Sequence, residues 1–531
     1  MRFALVAFVS CALSTAAPSQ QLPPANSELP TLVVFITVDQ LTPDYFDRYG
    51  AQFTGGFARL LRAGAVFTNA FQDHGVTETA PGHASTLSGR FPRHTGIIRN
   101  DAGVEDDQSP VLYEKDWGAS PFRFRGGTLI DWLRTKDPRS RALSVSRKDR
   151  GAILPLGRAH QLALFYSYTG IFTTSTYYGD TLPSWVQQYN ARHIPQSYAG
   201  KSWDLLLPAS AYSEPDSVPF ESGGRDFVFP HPGPPDAATA AKILAAYPFM
   251  DEVTAQVALA GLRAEKLGAG PATDVLAVSF STTDAVGHRF GPDSREIHDQ
   301  ILRLDRTLGA FLDTLYQLRD STKVVVALTA DHGITSLPEV YSQRERKTAI
   351  RVNVSAVMTA MRTALVARGL DRFVVQFSDG MFMLDRWAVE RAKLNADSVV
   401  DVFVKGARAT PGVMRVDLAK DLVRDTSTTI ARRWYHSVPD DSPVQAVVTL
   451  EPHNVWSGPA ETVAEHGSPW DSDAHVPIIF YGAPFKPGRY AAFSRVVDMA
   501  PTLAYVTGTL PTEPLDGHIL IEGLRVPPVK R

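Results

Sequence analysis

Three apolar segments of this sequence each lead into an aspartate. TLVVFITVD ends at Asp39, DVLAVSFSTTD ends at Asp284 and KVVVALTAD ends at Asp331. Uncharged runs of this length are typical of parallel β-strands that are buried on both faces. His288 and His332 follow the second and third aspartates within four positions. Because ligands of open α/β sheets bind at the carboxyl ends of the strands, we expect these side chains to meet at one edge.

The segment between the second and third strands predicts a long amphipathic helix. Its apolar positions alternate in steps of four and three, at Ile297, Ile301, Leu304, Leu308, Phe311, Leu315 and Leu318. This spacing puts all of them on one face of a helix. A strand, a helix and a second strand form a βαβ unit, which pairs its strands in parallel. The sequence therefore predicts an α/β fold with a mostly parallel central sheet.

A further histidine, His475, precedes the apolar run in DSDAHVPIIFYG. For its side chain to reach the same edge, this strand would have to run antiparallel to the others. Together with the earlier residues it would complete a set of three carboxylates and three imidazoles: Asp39, Asp284, His288, Asp331, His332 and His475. Oxygen and nitrogen ligands of this kind suit zinc, and six are too many for one tetrahedral ion. The alternative is that some of the set are helix caps or surface histidines.

Length and charge limit the organisation of the chain. By length alone, 531 residues could form several domains. The three strands span residues 31 to 331, however, so we predict one discontinuous domain over residues 31–526. Inserted cap segments are expected at about 150–245 and 340–440, where the pattern changes. A net charge of −3 without a long basic run indicates no nucleic-acid-binding platform.

The first seventeen residues predict a secretory signal peptide. Eleven uncharged, mostly apolar residues follow Arg2, and small residues come next. The run is shorter than a spanning helix requires, so no transmembrane segment would remain after cleavage. Residues 18–30 would form a leader, and the protein would be periplasmic or secreted. An alternative is a lipoprotein acylated at Cys11. Cys11 is the single cysteine of the chain, so cleavage of a signal peptide after residue 17 would leave the mature protein without a thiolate ligand.

Thr79 is the candidate nucleophile, in GVTETAPGHAS. Proline two positions later is typical of a first helical turn, so Thr79 is expected at a helix N-cap. There its hydroxyl would lie beside free backbone N–H groups, which favour an anionic ligand. The spacing alone leaves two interpretations open: a structural cap, or a hydroxyl that a metal activates for attack on phosphorus.

Five motifs in this order, VDQ, TAPGHAS, TTDAVGH, ADHG and AHVP, resemble those of the alkaline phosphatase superfamily. The resemblance implies a three-layer α/β/α sandwich and two zinc ions. One zinc would be held by Asp284, His288 and His475. The other would be held by Asp39, Asp331, His332 and the Thr79 oxygen.

The same resemblance separates the branches of the superfamily. Sulfatases carry Cys or Ser in a C/S-x-P-x-R motif, and this chain has Thr79 followed by Ala-Pro-Gly-His. Asn100 matches a phosphoryl-binding asparagine of both threonine branches. Lys148 and Arg150 match the Lys-x-Arg pair of the phosphate-irrepressible alkaline phosphatases. The resemblance thus implies a monomeric phosphate monoester hydrolase that forms a phosphothreonine intermediate on small-molecule substrates.

Two alternatives remain at this level. A nucleotide pyrophosphatase/phosphodiesterase would share the metal ligands and Thr79, and the KDR segment would then be an ordinary charged turn. An exported phosphate- or metal-binding protein without turnover belongs to another class. Hydrolysis of monoesters, diesters and sulfate esters, with and without a chelator, separates these possibilities.

Overall fold

The structure is a computed structural model that describes residues 29–423, 426–458 and 462–525. The predicted signal peptide, residues 1–17, lies outside the described residues, as does nearly all of the leader. Within the described part of the chain, no helix is both long enough and apolar enough to cross a membrane.

The strands are β1 (Leu32–Val38), β2 (Ala65–Phe67), β3 (Ala70–Phe71), β4 (Glu105–Pro110), β5 (Gly118–Ala119), β6 (Ala142–Ser146), β7 (Leu162–Tyr166), β8 (Phe172–Thr173), β9 (Asp274–Phe280), β10 (Val324–Thr329), β11 (Arg351–Val352), β12 (Val375–Ser378), β13 (Met381–Leu384), β14 (Val413–Leu418), β15 (Val444–Leu450), β16 (Val455–Trp456), β17 (Ile478–Tyr481), β18 (Gly488–Tyr490) and β19 (Ser494–Arg495).

The α-helices are α1 (Asp44–Tyr49), α2 (Gly56–Ala63), α3 (Thr79–Ser88), α4 (Pro92–Thr95), α5 (Leu129–Lys136), α6 (Asp149–Ile153), α7 (Ser184–Asn190), α8 (Ala237–Ile243), α9 (Phe249–Ala264), α10 (Thr282–Phe290), α11 (Arg295–Leu318), α12 (Pro338–Glu345), α13 (Ser355–Val366), α14 (Arg386–Arg391), α15 (Ala396–Arg408), α16 (Ala419–Leu422), α17 (Thr429–Ser437), α18 (Asp471–Ala474) and α19 (Met499–Val506).

The central sheet has the strand order β18-β2-β17-β10-β1-β9-β6-β7-β8. Its middle is parallel, since β1 pairs in parallel with both β10 and β9, and β6 pairs in parallel with β9 and β7. β17 runs antiparallel to β10, as the sequence required for the strand after His475. The mostly parallel α/β sheet is confirmed.

Helices cover both faces of this sheet. The predicted amphipathic helix is α11, which begins after the N-cap Ser294, whose hydroxyl accepts a hydrogen bond from the Ile297 amide. Six of the seven predicted apolar positions are buried, and Leu318 packs at the margin of the same core. α2 and α9 pack beside α11, whereas α3, α5 and α19 pack against one another on the other side.

The two expected insertions differ from each other. Within residues 150–245, β7 and β8 extend the central sheet, so this segment is not entirely a cap. Residues 340–440 lie largely in a second lobe, whose antiparallel sheet has the order β12-β13-β15-β14. This lobe has its own apolar core, in which the rings of Phe382 and Phe403 stack with centroids 4.0 Å apart.

Helix α3 approaches the end of β10 closely at Gly82. A Cβ atom at this position would lie 2.2 Å from the carbonyl oxygen of Asp331, much closer than a carbon side chain can approach. Because the obstacle is backbone, it cannot rotate away as a side chain would. The glycine therefore sets the distance between the helix that begins at Thr79 and the strand that delivers Asp331.

We expect Gly82→Ala to destabilise the protein by about 1–3 kcal/mol, since an extra methyl group must push α3 away from β10. The matched control is Gly50→Ala, because Gly50 has helical φ and ψ angles and no atom within 4 Å of its Cβ position. That control should be neutral or slightly stabilising. Urea unfolding of the three proteins measures the difference, and equal stabilities for the two variants would contradict it.

Candidate active site

Three buried carboxylates meet at the carboxyl edge of the central sheet. Asp39 follows β1, Asp284 lies in the first turn of α10 after β9, and Asp331 follows β10. Because β1 pairs with both neighbours in parallel, the three strands end side by side. Their relative exposures are 0%, 4% and 0%, respectively, so neighbouring groups of this protein rather than bulk water must compensate their charge.

The first ligand cluster consists of Asp284, His288 and His466, whose candidate ligand atoms all lie within 4.8 Å of one another. The Nε2 atoms of the two histidines are 3.3 and 3.6 Å from Asp284 Oδ1. The Nδ1 atoms of His288 and His466 lie 2.8 Å from the carbonyl oxygens of Ala464 and Thr77. These contacts orient both Nε2 atoms towards the carboxylate, as expected for imidazoles that bind a metal.

The structure does not bring His475 into this cluster, which corrects the expected ligand set. Its ring stacks on Phe71 at 4.9 Å, and its Nε2 lies 3.1 Å from the Thr68 carbonyl oxygen. The reason is backbone pairing: His475 forms a bridge with Phe71, which turns its side chain towards β3. Sequence reasoning missed His466 because it follows no apolar strand. Its one signal is the His-Gly pair, which also occurs at His332.

The second ligand cluster contains Asp39 and Asp331, together with His83, which was not predicted. His83 Nε2 lies 3.5 Å from Asp39 Oδ1, and His83 Nδ1 lies 3.3 Å from Asp331 Oδ2. His332 Nε2 is 3.4 Å from the same Asp331 oxygen. Among the described residues, neither Asp331 Oδ2 nor His332 Nε2 has a hydrogen-bond partner, although both atoms are buried. Buried and unsatisfied ligand atoms that face one another fit a metal ion.

Thr79 lies between the two clusters. It is the first residue of α3, and Glu78 occupies the N-cap position, so the expectation that Thr79 itself is the cap is wrong. Lys148 Nζ lies 3.0 Å from Thr79 Oγ1. The same ammonium group lies 2.8 Å from Asp39 Oδ2 and 2.8 Å from Asp284 Oδ2. One cation thus contacts the candidate nucleophile and a carboxylate of each cluster.

The other predicted phosphoryl-binding residues are placed differently. Asn100 lies beside the nucleophile, because its Oδ1 accepts a 2.8 Å hydrogen bond from the Ala80 amide. The backbone amide of Asn100 donates a 2.7 Å hydrogen bond to Glu78 Oε2. Arg150 lies in the first turn of α6 with its side chain 27% exposed, and its Nη1 is 3.7 Å from Asp149 Oδ1. It makes no described contact with the clusters.

The charges of the two clusters are set by burial and by Lys148. Burial opposes ionisation of Asp284, but Lys148 and His288 outweigh it and hold the pKa well below its usual range. For Asp39, Lys148 and His83 likewise overcome burial and lower the pKa to about 2. Burial lowers the pKa of His332 to about 3. Asp39 and Asp284 are therefore ionised and the His332 imidazole is neutral at pH 7, which are the forms that bind metal.

Two further acids, Glu78 and Glu465, lie beside the clusters. Burial, followed by the nearby Asp379 carboxylate, raises the pKa of Glu78 well above its usual range. Burial raises the pKa of Glu465 to about 7, although His288 acts in the opposite direction. Asp379 belongs to the second lobe, so this lobe reaches the residue that precedes Thr79.

Comparison with known proteins gives consistent results. A family model described as type I phosphodiesterase/nucleotide pyrophosphatase matches residues 33–402. Alkaline phosphatase PhoV of Synechococcus elongatus is 32% identical over 91% of this chain and 90% of its own. Alkaline phosphatase PafA of Elizabethkingia meningoseptica is 30% identical over 90% of this chain and 91% of its own. Alkaline phosphatase PhoK of a Sphingomonas species is 31% identical over 92% of this chain and 91% of its own.

The structural comparisons agree. A crystal structure of PafA superposes with a TM-score of 0.85 at 27% identity, over 94% of this chain and 99% of that one. Murine ectonucleotide pyrophosphatase/phosphodiesterase 5 gives a TM-score of 0.52 at 15% identity, over 91% of this chain and 97% of that one. The second likeness concerns the fold alone.

Proposed function

We propose that this chain, which belongs to the type I phosphodiesterase/nucleotide pyrophosphatase family of the alkaline phosphatase superfamily, is a metal-dependent phosphate monoester hydrolase. The observation that carries the proposal is the position of Thr79 Oγ1, in contact with Lys148 and between two buried ligand clusters. The relatives named above are alkaline phosphatases, and their alignments cover about nine-tenths of this chain, which supports the same activity.

We propose that each cluster holds one zinc ion. Asp284, His288 and His466 would bind the first, and His466 takes the place that the sequence assigned to His475. The second ion would be bound by a set that comprises Asp39, Thr79, Asp331 and His332. When bound, zinc would act as a Lewis acid and lower the pKa of the Thr79 hydroxyl. His83 hydrogen-bonds to the Thr79 carbonyl oxygen and would orient the two carboxylates of the second set.

In the proposed reaction, Thr79 Oγ attacks phosphorus as the bond to the ester oxygen breaks. The alcohol leaves with a proton, and a phosphothreonine remains. Water then attacks phosphorus, Thr79 regains its hydroxyl, and inorganic phosphate is released. Because Thr79 opens α3, the positive end of the helix dipole favours an anion at this position. Asn100 would donate its side-chain amide to one of the non-bridging oxygens.

Charge is the basis for proposing a monoester rather than a diester as substrate. A monoester dianion has three non-bridging oxygens, and the transition state spreads negative charge over them. Lys148 is already next to Thr79, and Arg150 is two residues further along at the start of α6. The guanidinium Nε of Arg150 is buried without a described hydrogen-bond partner, which leaves it able to donate to a phosphoryl oxygen.

Export to the periplasm or out of the cell is also proposed. It rests on the sequence of residues 1–17 alone, in which an apolar run follows Arg2 and small residues end the segment.

Removal of individual ligands tests the metal proposal. His466→Ala should lower the zinc content from about two ions per chain to about one, because the first cluster keeps only two ligands. His475→Ala is the matched control and should retain both ions, since His475 stacks on Phe71 outside the cluster. Elemental analysis after extensive dialysis measures the content. If His475→Ala lost an ion and His466→Ala did not, the ligand of the first cluster would be His475 rather than His466.

Thr79→Ala should lower kcat for an aryl phosphate by ~10³ or more, because the nucleophilic oxygen is removed. Thr79→Ser keeps that oxygen and should retain substantial activity. A phosphorylated residue at position 79 should be trapped by acid quench of the wild type and identified by mass spectrometry. Undiminished turnover by Thr79→Ala would rule out the phosphothreonine route.

Lys148→Ala and Arg150→Ala should each lower kcat/KM for phosphate monoesters by ~10²–10³, the scale of losing one charge-stabilising donor. The diester with the same leaving group should be affected much less, because it carries one negative charge fewer. The comparison uses phenyl phosphate and methyl phenyl phosphate on wild type and variants. A wild type that prefers the diester, or equal losses on both substrates, would favour a phosphodiesterase.

A further inference from the structure

A cavity of about 430 Å³ opens between the second lobe and the polypeptide that leads to His466. α13 contributes Met358 and Arg362 to its lining, and β12 contributes Phe377. Trp456, at the end of β16, forms a further part of the wall. The rings of Phe377 and Trp456 meet edge to face with centroids 5.1 Å apart. Both rings are half-buried, so part of the aromatic surface faces the cavity rather than the core.

One end of this cavity borders the nucleophile. Asp379 lines the cavity, and its carboxyl group lies next to that of Glu78. Glu78 directly precedes Thr79 and accepts a hydrogen bond from the backbone amide of Asn100. A single pair of side chains therefore separates the cavity from the residue proposed to attack phosphorus.

The adjoining chain segment borders the first ligand cluster. A Cβ atom on Gly458, two residues after Trp456, would lie 2.6 Å from Glu465 Oε1. Glu465 Oε2 lies 3.9 Å from His288 Nδ1, and Glu465 directly precedes His466. Gly458, next to the lining residue Ser457, thus lies close to an acid that borders the first cluster.

The lining combines two aromatic rings with several polar side chains. Small-molecule sites have volumes of roughly 300–1,000 Å³, and their polar groups fix the orientation of the ligand. Here Phe377 and Trp456 supply the aromatic surface, and the polar groups come from Asn353, Ser355, Thr359, Arg362, Asp379 and Ser457. Arg362 is half-buried, and its Nε is a buried donor without a hydrogen-bond partner among the described residues. A buried unpaired donor favours a ligand that brings an acceptor atom.

We propose that this cavity, lined by Met358, Arg362, Phe377, Asp379 and Trp456, binds a flat aromatic ring carried by the leaving group of the substrate. The inference rests on the proposed monoesterase function. Trp456 stacks on the ring, and Arg362 donates to ring acceptor atoms, so a nucleobase, which the ribose extends away from phosphorus, gains both contacts. The ring of phenyl phosphate is bonded directly to the ester oxygen and does not reach past Glu78 and Asp379. Monoesters of small alkyl alcohols leave the cavity empty.

The test compares AMP, phenyl phosphate and methyl phosphate on variants of the holoenzyme. Trp456→Ala should raise KM for AMP by ~10-fold, the scale of one base–aromatic stack, and leave phenyl phosphate and methyl phosphate unchanged. Arg362→Met should raise KM for AMP more than KM for phenyl phosphate. Equal changes on all three substrates, or no change on any, would overturn the proposal.

The matched control is Trp387→Ala. Trp387 lies on α14 of the same lobe, is 66% exposed and stacks under Arg391 away from the cavity. It should leave all three KM values unchanged. Trp456 also packs against the core of the lobe, so Trp456→Phe provides a variant that keeps an aromatic ring. That variant should keep most of the preference for AMP over methyl phosphate, and loss of the preference would contradict ring stacking.

A binding measurement separates failure of this inference from failure of the proposed function. Calorimetry on zinc-loaded Thr79→Ala compares AMP with inorganic phosphate, without turnover. We expect AMP to bind at least ~10-fold more tightly, and Trp456→Ala in the same background to remove the difference. If AMP and inorganic phosphate bind equally, the ring site is refuted. If AMP binds more tightly but the wild type hydrolyses no monoester, the hydrolase proposal fails and the ring site stands.

Discussion

Burial of three carboxylates at the end of one parallel β-sheet is the constraint on which the rest of the site depends. β1 pairs with β9 and β10 in parallel, so Asp39, Asp284 and Asp331 must lie together wherever the sheet forms. Their mutual repulsion in a buried site would be severe without positive charge nearby. Lys148 supplies part of that charge by contacting two of the carboxylates. Buried ligand atoms that remain unsatisfied indicate where metal ions would supply the rest.

The same constraint explains the position of Thr79, the proposed nucleophile. α3 can approach the end of β10 only because Gly82 has no side chain, and this contact brings Thr79 beside the carboxylates. The lysine that offsets the carboxylates is also within hydrogen-bond distance of the Thr79 hydroxyl. The proposed recognition of an anionic substrate would therefore use the side chain that already offsets the buried carboxylates.

The second lobe contacts the site but carries none of the candidate ligands. Its antiparallel sheet has an apolar core of its own. Met381, Met383 and Val447 of the same sheet also pack with Val76 and Ile98. Asp379 of the lobe lies next to Glu78, the residue before Thr79. The proposed recognition of the leaving group would therefore use a part of the chain that is distinct from the strands that carry the candidate ligands.

The sequence by itself determined the features that depend on local pattern. Apolar runs that end on Asp39, Asp284 and Asp331, and the helical spacing of Ile297 to Leu318, predict the parallel sheet because strand and helix periods are local properties. Only the tertiary structure decided which histidine joins the first cluster. The strand after His475 runs antiparallel as predicted, but pairing with Phe71 turns its imidazole away, and a loop brings His466 instead. Side-chain direction at a strand end and loop position depend on long-range backbone pairing, which sequence spacing does not encode.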